Sequence, residues 1–168
     1  MANRPLPDDT RWLDADERAA WLSLARFMTR LPPALDAQLE RDAGLNYFEY
    51  LFMAMLSEAP GRTLRMTQLA SLTNASLSRL SHVAKRLEKL SLVRREQDEL
   101  DGRSTKATLT DEGMAAVVAA APGHVSVVRE LVFDALSPVQ VRQLRKSLED
   151  ILTRVDPGGS SDPFGRSG

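Results

Sequence analysis

The chain has 168 residues, 43% of them hydrophobic and 27% charged, with a formal net charge of -1, which is enough apolar material for one compact domain with a core, and a second independent domain is not expected. It contains no cysteine and only 2 histidines, so disulfides, thiolate metal sites, a thiol nucleophile and a cysteine redox switch are excluded. Charge is unevenly placed: residues 62–106 hold 10 Lys and Arg against 5 Asp and Glu, or +5, while the remainder holds 12 against 18, or -6. A basic segment inside an acidic chain is what a polyanion-binding face needs, although charge alone is equally compatible with a solvated helix face.

Asp14 followed by Glu17 predicts a capped helix starting near Ala15, with Leu24, Phe27, Met28 and Leu31 at helical spacing. Pro32-Pro33 is expected to kink or interrupt it before "ALDAQLERDAG" resumes and stops at Gly44. Asn46 with Glu49 repeats the capping pattern for "YFEYLFMAMLSEAPG", a strongly apolar core helix closed by Pro60-Gly61. "MTQLASLT" predicts a brief helix, "NAS" a tight turn, and "LSRLSHVAKRLEKL" a longer amphipathic helix with a buried stripe of Leu77, Leu80, Val83, Ala84 and Leu87. Its opposite face carries Ser78, Arg79, Ser81, His82, Lys85, Arg86 and Lys89. Two helices across a short turn, the second lined with cations and hydroxyls, predict a helix-turn-helix.

"LVRREQD" and "STKATLT" then read as a hairpin turning at Asp101-Gly102. Thr110 is the expected N-cap of "DEGMAAVVAAAPGHVSVVRELVFDAL", kinked at Pro122-Gly123. Ser137-Pro138 with Gln140 starts a last helix whose apolar stripe is Val139, Val141, Leu144, Leu148, Ile151 and Leu152. The tail 156–168, rich in Gly, Ser and Pro, is expected to be disordered.

A hairpin directly after a helix-turn-helix is a wing, and Arg103 is placed where its tip would enter a minor groove, whose narrow form attracts a guanidinium. Asp101 could accept hydrogen bonds from that guanidinium and fix its direction. Taken alone, Asp-Gly-Arg reads as a surface ion pair worth about 0–1 kcal/mol.

Leu69-Ala70, Ser78-Arg79, Arg86-Leu87-Glu88, Arg94-Arg95, Asp101-Gly102-Arg103 and Leu109-Thr110-Asp111-Glu112-Gly113, in this order and spacing, resemble the DNA-binding core of the MarR family of bacterial transcriptional regulators. The resemblance implies a mainly α fold with a small β-hairpin wing. It places one domain over 1–155, a winged helix-turn-helix core at about 46–110 and dimerisation helices at about 15–43 and 111–155. It implies a homodimer, expected to act as a repressor on pseudo-palindromic double-stranded DNA, with two recognition helices spaced near one DNA turn of about 34 Å.

Trp12, Trp21, Val139, Leu144, Leu148 and Ile151 are candidates for the dimer interface or, equally, for an intrachain core. The DNA-facing set is Ser76, Ser78, Arg79, Ser81, His82, Lys85, Arg86, Arg95, Asp101, Arg103 and Lys106. Arg79 is assigned to guanine, and Ser76, Ser78, Arg95 and Lys106 to phosphates. The resemblance also implies a small aromatic or anionic effector, for which Phe27, Met28, Tyr47 and Phe48 supply suitable side chains, core packing being the plainer account of them. One departure is Ser91, where the family usually has glycine at the end of the recognition helix.

No H-E-x-x-H, G-x-S-x-G or phosphate-cradling glycine loop is present, and adjacent Ser81 and His82 cannot face each other on a helix, so no enzyme, metal or cofactor is expected. No run approaches the roughly 18 apolar residues of a bilayer span, and "MANRPLPDDTRW" lacks the apolar core of a signal peptide, so a cytoplasmic protein is expected. The competing class is a winged helix that binds protein instead of DNA, in which the basic window has no evident purpose.

Overall fold

Local hydrogen-bond chemistry sets the helix ends. In the structure of the chain, a computed structural model that describes residues 10–98 and 101–156, with backbone alone at 101–103, α1 spans Ala15–Ala43. Asp14 and Glu17 exchange backbone-to-carboxylate bonds at its start, at 3.0 and 2.8 Å. Gly44, at φ +65°, ends it, and Gly44 and Leu45 return their N–H groups to the Glu40 and Leu39 carbonyls. Asn46 and Glu49 form the capping box of α2, Tyr47–Glu58. Two shorter steps follow, α3 at Met66–Thr73 and α4 at Leu77–Lys89, joined across Asn74 in the left-handed region. Thr110 caps α5, Asp111–Val128, and Ser137 with Gln140 caps α6, Pro138–Val155.

Pro32-Pro33 does not interrupt α1, nor does Pro122 break α5. Proline holds φ near the helical value of about -65°, so each helix loses backbone hydrogen bonds at these points while the helical run continues. The later helix continues into a π-helical turn at Arg129–Phe133.

Three antiparallel strands make the sheet, ordered β1-β3-β2, with β1 at Thr63–Arg65, β2 at Val93–Asp98 and β3 at Asp101–Leu109. β1 was not expected from the sequence: it pairs Thr63 with Thr108 and Arg65 with Lys106. Asp101 and Gly102 belong to β3 and not to the turn, and Asp98 pairs with Asp101. The residues between them, and the tail from 157 onward that was expected to be disordered, lie outside the described residues.

The chain divides into two compact units, 1–34 and 35–168. Within the first, Trp12, Leu13, Trp21, Leu22, Phe27 and Met28 are exposed. The second holds a core in which Leu39, Phe52, Met53, Leu56, Leu69, Leu80, Ala84, Leu87 and Ala107 are fully buried. Its α6 buries none of its residues, so Val139, Leu144, Leu148, Ile151 and Leu152 stand exposed.

Against the expectation that no segment approaches a membrane span, Asp111–Phe133 is long and apolar enough to cross one by composition. Its alanines and valines raise hydropathy without a bulky apolar run, and Gly113, Val117 and Ala120 are buried against the core.

Ser91 takes φ +60° at the end of α4, while its carbonyl accepts from Thr110 Oγ1 at 2.8 Å and its N–H donates to the Glu88 carbonyl at 2.9 Å. A side chain in this region costs about 1 kcal/mol relative to glycine. Ser91→Gly is therefore expected to raise stability by about 1 kcal/mol in denaturant unfolding, and a loss would show that the serine side chain is itself supporting the turn.

Candidate nucleic-acid interface

At about 100° per residue, α4 presents four sides. Leu80, Val83, Ala84 and Leu87 are buried in the core. Opposite them Ser78, His82, Lys85 and Lys89 form an outward row, all exposed, and neither lysine makes an ion pair with a described residue. The flanks between core and solvent are held by neighbouring elements, one by α2 and the other by β2.

On the α2 flank, the Arg79 guanidinium lies 4.0 Å from the centroid of the Phe48 ring. One turn pair further, Arg86 Nη1 donates to Glu49 Oε1 at 2.7 Å and Nη2 to the Gly44 carbonyl at 3.4 Å. Glu49 is almost fully buried, and its Oε2 also accepts the Asn46 N–H at 3.0 Å. A single carboxylate thus caps α2 and grips α4.

On the β2 flank, Glu88 Oε2 accepts from Arg95 Nε and Nη2 at 2.9 and 2.6 Å, and Oε1 from the Arg95 backbone at 3.0 Å. The guanidinium hydrogen bond, opposed by burial, holds the Glu88 carboxyl below the ordinary carboxylate range. Ser76 accepts the Arg79 N–H at 3.3 Å as the N-cap, with Ser78 Oγ 3.1 Å away.

The wing is fixed at its base by Asp98. Its side chain is fully buried, with Arg65 Nε and Lys106 Nζ each 2.7 Å from its carboxylate oxygens. Arg65 and Lys106 face each other across β1 and β3, so the carboxylate removes a like-charge pairing that would otherwise oppose the sheet.

The structure therefore sorts the residues singled out by sequence. Ser76, Ser78, Ser81, His82 and Lys85 share the start and exposed surface of α4. Arg79 is set to one side over Phe48, and the heads of Arg86, Arg95 and Lys106 are engaged by Glu49, Glu88 and Asp98. The backbones of Asp101 and Arg103 lie in β3, and their side chains are outside the described residues. Leu77, expected in the buried stripe, is 49% exposed, because the first turn of α4 extends past the core that covers Leu80 and Ala84.

Of the candidate effector side chains, Phe27 and Met28 belong to the first unit and are exposed. Tyr47 and Phe48 belong to the second. Tyr47 stacks on His124 at 6.1 Å between centroids, and Tyr50 meets the same ring at 4.8 Å. Burial pushes His124 down from the ordinary histidine range and Tyr50 up from that of tyrosine. No group of three or more His, Asp and Glu that could hold a metal occurs among the described residues.

The three carboxylates that organise this region, Glu49, Glu88 and Asp98, were not marked as site residues by the sequence. Glu49 was visible as a capping residue only, since the second oxygen's partner lies 37 positions away.

The MarR family profile matches residues 43–104. The fold is similar to that of Sco3205, a MarR family transcriptional regulator from Streptomyces coelicolor crystallised in complex with DNA, with 42% identity, 94% of this chain and 98% of that chain covered, and a TM-score of 0.85. It is also similar to AbsC, a MarR family transcriptional regulator from the same organism, with 38% identity, coverage of 87% and 98%, and a TM-score of 0.81. BldR from Sulfolobus solfataricus, at 22% identity, coverage of 84% and 99% and a TM-score of 0.73, shares the fold. No curated protein sequence matches the chain.

Proposed function

Because the chain belongs to the MarR family of transcriptional regulators, we propose that it binds double-stranded DNA sequence-specifically as a homodimer and acts in the cytoplasm as a repressor responsive to a small effector. The observation that carries the reading is the outward row of α4, where Ser78, His82, Lys85 and Lys89 are exposed and aligned while the helix is braced on both flanks. A braced helix holds its contacts in register before DNA arrives, which lowers the ordering cost of binding.

Ser76, Ser78 and Lys85 would meet phosphates, with Lys89 added to that set by its place in the row. Ser81, His82 and Arg79 would face base edges, the stack on Phe48 keeping the Arg79 guanidinium extended for a guanine. Arg103 would enter the minor groove with Asp101 directing it. Arg86, Arg95 and Lys106, already engaged by carboxylates, serve mainly to position the helix and wing.

Exposed apolar side chains in both units support the dimer. Trp12, Trp21 and Leu22 in the first unit, and Val139, Leu148 and Ile151 in the second, are each 40% or more exposed, apolar surface of the kind that marks interaction sites. For the effector, Phe27, Met28, Tyr47 and Phe48 offer aromatic and flexible side chains.

Affinity selection from random duplexes, using the full chain at about 0.15 M salt to screen nonspecific phosphate attraction, tests the reading. The expected result is enrichment of a two-fold symmetric site, which Arg79→Ala broadens at one position per half-site. An absence of enrichment overturns it in favour of a winged helix that binds protein.

A further inference from the structure

Leu77 is the large apolar side chain on an otherwise polar end of α4. It is the first residue of the helix and stays half exposed beside Ser76, Ser78 and Ser81. Its side chain lines a recess of about 180 Å³ together with Met66, Thr67, Ser81, Arg95 and Thr105. Ligand pockets for drug-sized molecules are commonly about 300–1,000 Å³, so this recess fits a much smaller group.

Residues in the first turn of a recognition helix are the ones that reach base edges in the major groove. There each base pair offers a pattern of donors and acceptors, and thymine alone among the four bases adds a methyl group. Leu77 has no hydrogen-bonding atom in its side chain, so it can distinguish base pairs only through apolar contact. The hydroxyls of Thr67 and Thr105 at the recess suit the sugar-phosphate strand beside such a contact.

We infer that Leu77 is a specificity-determining residue that receives the 5-methyl group of one thymine in each half-site. The inference rests on the DNA-binding reading above. Met66 forms the second apolar wall of the recess, and Ser81 lines its polar side.

The test uses the full chain and its selected duplex, with each dT replaced in turn by dU, which removes the methyl group and leaves base pairing intact. One dT per half-site is expected to matter, its replacement weakening binding by about three- to fivefold, the effect of one buried methyl group. Leu77→Ala is expected to bind the dT and dU duplexes equally, and Leu77→Val, with a shorter side chain, to show a reduced difference. Thermal unfolding checks that each variant is folded.

A native protein indifferent to every dT to dU replacement overturns the inference without reference to any variant. A dU penalty that persists in folded Leu77→Ala, or that is undiminished in folded Leu77→Val, overturns it by assigning the methyl contact elsewhere. Failure to select any symmetric site overturns the DNA-binding reading itself, and this inference with it.

Discussion

Gly113→Ala is expected to lower the melting temperature by roughly 10 °C, the consequence of a loss of about 3 kcal/mol in a chain of this size. On helix propensity alone the change should help, since alanine is favoured over glycine by about 1 kcal/mol inside a helix. Space decides the other way. A Cβ at Gly113 would overlap the Leu92 carbonyl oxygen and come within 2.6 Å of Leu109 Cδ1. That carbonyl is not able to retreat easily, because it accepts both the Thr110 N–H at 3.2 Å and Thr110 Oγ1 at 3.0 Å. Thr110 in turn caps α5 by accepting the Gly113 N–H at 2.9 Å.

Glycine at this position is thus required by a close approach of backbone to backbone, where α5 leaves the sheet. Gly123→Ala in the same helix is the control. Its nearest neighbours are side-chain ends, Gln38 Nε2 at 3.3 Å and Asp42 Oδ2 at 3.4 Å, so its stability is expected to stay within about 1 kcal/mol of the parent. Equal melting temperatures for the two variants would remove the close-approach account.

Arg86→Ala is expected to cost about 2–4 kcal/mol, because it leaves the Glu49 carboxylate buried without its cation. The lower end of that range reflects the half-exposed arginine, through which water reaches the pair. Glu49 retains the Asn46 N–H, so the cap of α2 survives while its hold on α4 is lost. The diagnostic is the double variant Glu49→Gln with Arg86→Ala, which carries no unpaired charge and is expected to recover part of the loss in urea unfolding. A double variant whose loss equals the sum of the two single losses would show that Arg86 stabilises by packing of its stem alone.

Helix ends were legible in the sequence because their chemistry is local. Asn46 with Glu49 and Ser137 with Gln140 act across three positions, and the capping boxes formed as read. β1 was not legible, since a three-residue strand is defined by partners such as Thr108, 45 positions away. Leu77 obeys the helical period of the buried stripe, but period says which side of a helix a residue occupies and not how far the core extends along it. Likewise the basic window was correctly a concentration of cations, whereas the engagement of Arg86, Arg95 and Lys106 by Glu49, Glu88 and Asp98 depends on tertiary placement. The sequence pattern marked where positive charge gathers, and folding decided which of it stays available.

The strand order β1-β3-β2 leaves β2 with one side unpaired among the described residues. An open strand edge is a template on which another molecule can add a strand, and stacked edges lead to aggregation. β2 reads Val93-Arg94-Arg95-Glu96-Gln97-Asp98, with Arg94, Glu96 and Gln97 exposed. A second copy approaching that edge in register would have to bury charged side chains, so the strand is protected against self-addition.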